Sequence, residues 1–249
     1  MSKTVWITGA SAGIGAALAG KMAAEGWHVL ASARSADKLS ALADGHASIH
    51  SLPLDVTDLE ATKVSLQDEA LDCAVLNAGV YWPRRSEDFQ ADDYSKHYQV
   101  NVQGVANGLE AILPGMIKRG SGRIAIVSSV AGYRGLPYAG AYAMTKAGVI
   151  AMAESLRPEL EAKGITIQVI TPGFVRTDAT SVNDFDMPFI IEADKAADYI
   201  LRGLKTKKFE IAFPRRMAWI MKFLEALPYW AFFTATKTML TDPETRTES

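Results

Sequence analysis

KTVWITGASAGIG, residues Lys3 to Gly15, compresses a strand, a turn and the start of a helix into one short stretch. Lys3 to Thr8 is an apolar run of the kind that forms a buried parallel strand. It breaks at glycine. Without a Cβ, Gly9, Gly13 and Gly15 permit a sharp turn and let a phosphate approach the backbone closely. The small and apolar residues from Ile14 to Ala24 then predict a helix, whose free N–H groups and positive dipole end would face that phosphate. Three residues separate the first two glycines and one separates the second pair, so the spacing differs from GxGxxG. Taken alone, the turn is also compatible with plain loop chemistry.

The rest of the chain repeats the same alternation. Strands are predicted at Trp27 to Ala33, Ala47 to Leu54, Leu71 to Leu76, Arg123 to Val127, Ile165 to Thr171 and Phe209 to Phe213. Between them lie helical stretches at Ser35 to Asp44, 59 to 70, about Asp92 to Met116, from Tyr138 or Ala141 to Ala162, and Ala193 to Leu204. Pro158 predicts a bend or an altered final segment in the fourth of these. With 249 residues, 49% of them hydrophobic, the chain can bury a sizeable core, and one α/β domain over residues 1–249 is expected.

A net charge of −2 gives no electrostatic argument for nucleic acid. The single cysteine, Cys73, excludes an internal disulfide and reads as a small core residue. No cysteine and histidine cluster has metal-ligand spacing; His46 and His50 read as a surface coincidence. The N-terminus lacks the basic and apolar regions of a signal peptide, so a cytoplasmic, reducing compartment is expected.

Chemistry enters at AYAMTK, Ala141 to Lys146. On a helix, Tyr142 and Lys146 stand one turn apart on the same face. A free phenol has a pKa near ~10, so it exchanges protons poorly at neutral pH until a neighbouring positive charge favours its ionised form. Lys146 would supply that charge. A serine hydroxyl from Ser128 or Ser129, at the carboxyl end of a strand where open α/β sheets bind ligands, could hold a carbonyl or alcohol oxygen while Tyr142 passes the proton.

TGASAGIG, Asn77-Ala78-Gly79, Asn101, Ser129, Tyr142, Lys146 and Pro172-Gly173 occur in that order, and together they resemble the short-chain dehydrogenase/reductase family over residues 3 to about 177. The resemblance implies a single doubly wound, Rossmann-like α/β fold with a mainly parallel sheet of about seven strands. It also implies binding of NAD or NADP at Gly9, Ser11, Gly13, Ile14 and Gly15, and a homodimer or homotetramer. The family's step of thirteen residues to the tyrosine selects Ser129 over Ser128. By the same resemblance, Asp55 meets the adenine amino group and Val56 packs near the ring. Asn77, Ala78 and Gly79 lie beside the cofactor, with Asn77 as much structural support as contact. The backbone of Val175 and the hydroxyl of Thr177, after Pro172 and Gly173, anchor the nicotinamide carboxamide. Tyr142 and Lys146 also touch the cofactor, Lys146 through the nicotinamide ribose. Asn101 holds a water that connects Lys146 to solvent, at a local distortion of its helix; a simple buried hydrogen bond is the alternative.

Bland readings stand beside several of these. Asp55 and Asp58 could cap the following helix with help from Thr57, and Ser35 the helix before it. Tyr81 to Arg85 reads as an exposed connection, although its place after the NAG turn could bring it near the substrate. Arg34 is more pointed. An acid at the end of the second strand binds the ribose of NAD, whereas an arginine nearby accommodates the 2′-phosphate of NADP. Here Ala33 occupies the place of the acid and Arg34 follows it, which predicts NADP(H).

Residues 178–192 have no strong periodicity, contain Pro188 and read as a mobile substrate lid. Residues 215–240 are an apolar extension that no ~20-residue uncharged span turns into a transmembrane helix. Three readings stand open for it: packing or a subunit contact, peripheral membrane contact, and an apolar wall for a lipophilic substrate. The predicted activity is interconversion of a small-molecule carbonyl, aldehyde or ketone, and its alcohol, with Tyr142 as general acid and base. An NADP(H) sensor or scaffold, and an epimerase or dehydratase on the same fold, are the alternatives.

Overall fold

A computed structural model describes residues 2–183 and 186–240. The opening run forms β1 (Thr4–Thr8), and the chain then alternates through α1 (Gly13–Ala24), β2 (His28–Ala33), α2 (Ala36–Asp44), β3 (Ile49–Pro53), α3 (Leu59–Leu66) and β4 (Cys73–Leu76). A helical rod follows as α4 (Ala91–Tyr98), a π-helical segment (Gln99–Gln103) and α5 (Gly104–Arg119). Next come β5 (Gly122–Val127), α6 (Gly140–Glu161) and β6 (Ile165–Pro172), then a short pair, β7 (Val175–Arg176) and β8 (Ile191–Glu192). The chain closes with α7 (Ala193–Leu204), β9 (Glu210–Phe213), α8 (Arg215–Ala226) and α9 (Tyr229–Lys237).

Seven strands form one sheet in the order β3-β2-β1-β4-β5-β6-β9, with every pairing parallel. β1 sits at its centre, with Ile7 opposite Ala31 on one side and Val75 on the other. Because successive side chains leave a strand on opposite faces, β1 feeds two cores at once. Val5 and Ile7 join Leu18 and Met22 of α1 and Ala197 and Ile200 of α7. Trp6 points the other way, to Leu109 and Ile112 of α5 and Val149 of α6, and its indole N–H donates to the Ser32 hydroxyl at 2.8 Å. Cys73, 1% exposed in β4, packs in the first of these cores, as expected of it.

Several local expectations change. Helix α3 stops at Leu66, earlier than residue 70, because only Thr62 and Leu66 find burial and the following polar residues have no core to join. The stretch predicted as one helix from Asp92 to Met116 contains the π-helical turn around Asn101 and runs on to Arg119 through Pro114. Likewise, α6 continues through Pro158 to Glu161; the proline begins the last turn, where a missing N–H removes a single bond. Ser35 occupies the N-cap of α2 but makes no side-chain cap bond, whereas Asp58 caps α3 by accepting from the Ala61 N–H at 2.9 Å.

The extension folds into α8 and α9, each started by a proline, Pro214 and Pro228. Met217, Met221, Leu224 and Phe232 form a third cluster with Val130, which directly follows Ser129. A polar tie reinforces it: Glu210 of β9 takes the Lys222 ammonium of α8 and the Tyr133 hydroxyl, and that hydroxyl also lies 2.8 Å from the Thr171 hydroxyl. Among the described residues, no helix is long and apolar enough to cross a membrane.

Candidate active site

The carboxyl ends of β1, β4, β5 and β6 converge on a cleft of about 400 Å³. Its floor is the glycine turn. Gly9 and Gly13 adopt positive φ, 67° and 55°, where a side chain would be strained. Gly15 lies beneath the turn and does not line the cleft; a Cβ there would come 2.3 Å from the Gly9 carbonyl oxygen and 2.7 Å from Asn77 Nδ2. Asn77 explains the closeness, since its amide donates to the carbonyls of Thr8 and Gly9 at 2.9 and 3.1 Å. The Thr8 hydroxyl accepts from the backbone N–H of both Asn77 and Ala78. The turn after β1 and the NAG turn after β4 are thus bolted together.

These residues fit a dinucleotide. The N-cap of α1 is Ala12, which offers no side-chain acceptor, and its first turn carries no acid, so the N–H groups at that end stay available to an anion. Ser11, Gly13 and Ile14 line the cleft beside it. At the far end, Ala33, Arg34 and Ser35 line the wall; Arg34 is exposed and, among the described residues, makes no ion pair. Asp55 and Val56 line the same end. Asp55 accepts from the Thr57 N–H and hydroxyl at 3.0 and 2.8 Å, so its carboxylate is partly engaged in the turn before α3.

The predicted catalytic set comes together at the other end. Ser129, Tyr142 and Lys146 all line the cleft, and Lys146 is 4% exposed with its ammonium 5.5 Å from the Tyr142 ring centroid. That ammonium donates to the Val127 carbonyl at 2.8 Å. Burial pushes the lysine down to about 8. It pushes the Tyr142 phenol the other way, up to about 12, against the pull of the Ser129 hydroxyl that hydrogen-bonds it. Desolvation therefore outweighs any help the lysine gives the ionised phenol, contrary to the expectation that Lys146 leaves the phenol depressed.

The adjacent serines divide the work. Ser128 is buried and donates its hydroxyl to the Lys146 carbonyl at 2.8 Å, which pins α6 to the end of β5. Ser129 presents its hydroxyl to the cleft, accepting from the Ala131 N–H at 3.1 Å. Asn101 does not line the cleft. Its side chain takes both backbone groups of Val80, at 2.8 and 3.0 Å, and donates to the Thr145 hydroxyl at 3.1 Å. Gly79 closes over this group: a Cβ would lie 3.2 Å from Asn101 Oδ1 and 3.4 Å from Lys146 Nζ. Both the helix distortion and the buried hydrogen bond expected of Asn101 are thus present.

Pro172, Gly173, Val175 and Thr177 line the roof. Thr180, which sequence reasoning passed over, organises it by donating to the Val175 carbonyl at 2.8 Å and accepting from the Thr177 N–H at 3.1 Å. Tyr81 enters the site with the loop whose place after the NAG turn could bring it near the substrate. Read as part of an exposed loop, it is half-buried, edge-on to Tyr142 with centroids 4.9 Å apart, and its hydroxyl meets Asn183 Oδ1 at 3.1 Å. Its place directly after the NAG turn was the available signal. Within the predicted lid, Phe189 and Ile190 are described, whereas Phe185 lies outside the described residues.

Comparison with known proteins agrees with this geometry. A sequence model of the family described as short chain dehydrogenase matches residues 3–186. An uncharacterised oxidoreductase of Myxococcus xanthus is 35% identical over 94% of this chain and 96% of its own length. A 3-oxoacyl-(acyl-carrier-protein) reductase of Vibrio harveyi is 35% identical over 73% of this chain and 78% of its own. Among solved structures, a short-chain dehydrogenase from Sphingobium yanoikuyae in complex with NADPH superimposes with a TM-score of 0.81 at 26% identity, covering 97% of both chains. The chain therefore belongs to the short-chain dehydrogenase/reductase family, NAD(P)-dependent oxidoreductases on a Rossmann-like fold.

Proposed function

We propose that the protein is an NADP(H)-dependent oxidoreductase that interconverts a carbonyl and its alcohol, with Tyr142 as general acid and base. One observation carries the reading: Ser129, Tyr142 and Lys146 meet in a single cleft that continues to a glycine turn built for a phosphate. When bound, NADPH would supply a hydride for the carbonyl carbon, being oxidised to NADP+.

The chain's own residues handle the oxygen and the proton. A phenol held near 12 is protonated at neutral pH, which is the form needed to give a proton to a carbonyl oxygen as it gains charge. The Ser129 hydroxyl, already bonded to the phenol, orients and polarises that same oxygen. Lys146, held near 8, is still mainly charged at pH 7; it steadies the phenolate left behind and is the donor for the nicotinamide ribose. Asn101, through Val80 and Thr145, keeps the π-helical segment and the start of α6 in register, and the backbone carbonyl of Asn101 is assigned the water that returns a proton to Lys146.

The preference for NADP rests on Ala33-Arg34-Ser35: no acid at the strand end, a guanidinium free of ion pairs among the described residues, and a serine hydroxyl that makes no cap bond. The NADPH-bound relative from Sphingobium supports it by analogy. Replacing Tyr142→Phe tests the chemistry. Turnover should fall by roughly 10²–10⁴ while NADPH binding, followed by nucleotide fluorescence, stays as it was. Near-normal turnover would refute the proton role.

A further inference from the structure

Beyond Tyr142 the cleft opens into a second chamber of about 560 Å³, which shares Tyr81, Ser129 and Tyr142 with the first. That volume lies within the ~300–1,000 Å³ of ordinary small-molecule sites. Its far wall is the extension: Met217, Ile220, Met221 and Leu224 of α8, and Met239 beyond α9. Among the described lining residues there is no lysine or arginine, and the one formal charge is Asp186.

Several of the chamber's polar side chains are already engaged. The hydroxyl of Tyr81 is engaged with Asn183, that of Thr180 with Val175, and that of Thr238 with the Ala235 carbonyl. The Ser129 and Tyr142 pair stands where the chamber meets the first cleft, and Tyr138 is a further phenol in its lining. An anionic ligand would find no cation to repay its desolvation and would meet a carboxylate. A neutral hydrocarbon would trade water for apolar surface at about 25 cal/mol per Å². The thioether wall adds latitude, because methionine is unbranched and conforms to irregular shapes. Ile220 and Met239 are both exposed, at 46% and 43%, so the mouth of the chamber is apolar as well.

We infer that this chamber selects a neutral aliphatic carbonyl compound of medium to long chain, held with its oxygen at Ser129 and Tyr142 and its hydrocarbon along α8. The inference rests on the carbonyl-reductase reading for its chemistry, though not for its binding. It also gives the extension a purpose, with α8 as the specificity wall in addition to its packing against Val130.

The test uses the full-length protein in two assays. In the first, the neutral fluorophore N-phenyl-1-naphthylamine is displaced by straight-chain aldehydes from butanal to dodecanal, and by the ω-oxo carboxylate of dodecanal's length. In the second, the same compounds are followed by NADPH oxidation. Displacement constants and KM should each fall about fourfold per added methylene until the chamber is filled. The carboxylate should gain nothing from its length. Ile220→Arg, at an exposed position that leaves the core intact, should raise kcat/KM for the carboxylate at least tenfold and lower it for dodecanal.

The outcomes separate. Chain-length-dependent displacement without turnover would uphold the chamber and sink the reductase reading. Turnover that is flat with chain length, or equal for aldehyde and carboxylate, would keep the reductase and overturn this inference. Neither displacement nor turnover would overturn both.

Discussion

Burial drives Lys146 and Tyr142 in opposite directions, and the pH behaviour of the protein should show it. Lys146 is charged below about 8 and loses its proton as pH rises through that value. The kcat/KM for NADPH in carbonyl reduction, which reports the free enzyme, should therefore hold below pH 8 and fall above it; a flat profile to pH 10 would contradict the role given to the ammonium. Stability carries the complementary signature. The unfolded lysine keeps its proton up to about 10.5, whereas the folded one releases it above about 8, so between those values the unfolded state binds more protons and this group's contribution to stability rises with pH. Urea unfolding of the wild type should gain on Lys146→Met across that interval. Arg34 is the other residue with a sharp expectation. Arg34→Ala should weaken NADPH roughly 10- to 100-fold, the worth of a charge-assisted contact, and leave NADH nearly unchanged; an equal loss for both nucleotides would dismiss it as the reader of the phosphate.

Elements differ in how plainly the sequence announces them. β1, β4, β5 and β6 were readable because parallel strands buried on both faces are unbroken apolar runs between turns, as in Ile124 to Val127. The glycine turn was readable because few other residues tolerate its conformation. Other features rest on tertiary contact and leave little periodicity behind. The pairing of β7 with β8 involves two residues on each side, Val175 with Ile191 and Arg176 with Glu192, too few to make a pattern. Tyr81 reached the site through the path of its loop, and the π-helical segment owes its place to what Asn101 holds. Removing that hold is informative. Asn101→Ala would leave the N–H and C=O of Val80 without their side-chain partners, and the protein should lose about 2–4 kcal/mol of stability in urea unfolding. A change under about 0.5 kcal/mol would mean that the segment is maintained by other contacts.

Taken whole, the molecule is a symmetric-looking sandwich with an asymmetric addition. Helices α1 and α7 cover one face of the sheet and α5 and α6 the other, each with its own core, while α8 and α9 attach to the ligand side through the cluster around Met221. The doubly wound framework was legible because hydrophobic burial and turn chemistry agree along its length. The extension was legible only as apolar, since the same composition suits a wall, a partner or a lipid surface, and the choice depends on which face the framework turns toward it. Trp219, Phe223, Tyr229 and Trp230 remain 66–76% exposed.

The chain's single thiol sits at Cys73, in the strand between β1 and β5, and burial pushes it up to about 12. Only a thiolate attacks a disulfide reagent, so Ellman's reagent should label the native protein orders of magnitude more slowly than the protein in denaturant. Stoichiometric labelling within minutes under native conditions would show that the sheet breathes at its centre. With no second cysteine to trap, the thiol is a stopwatch: the pace of its colour reaction counts how often the middle of the sheet comes apart, with no label engineered in and no residue changed.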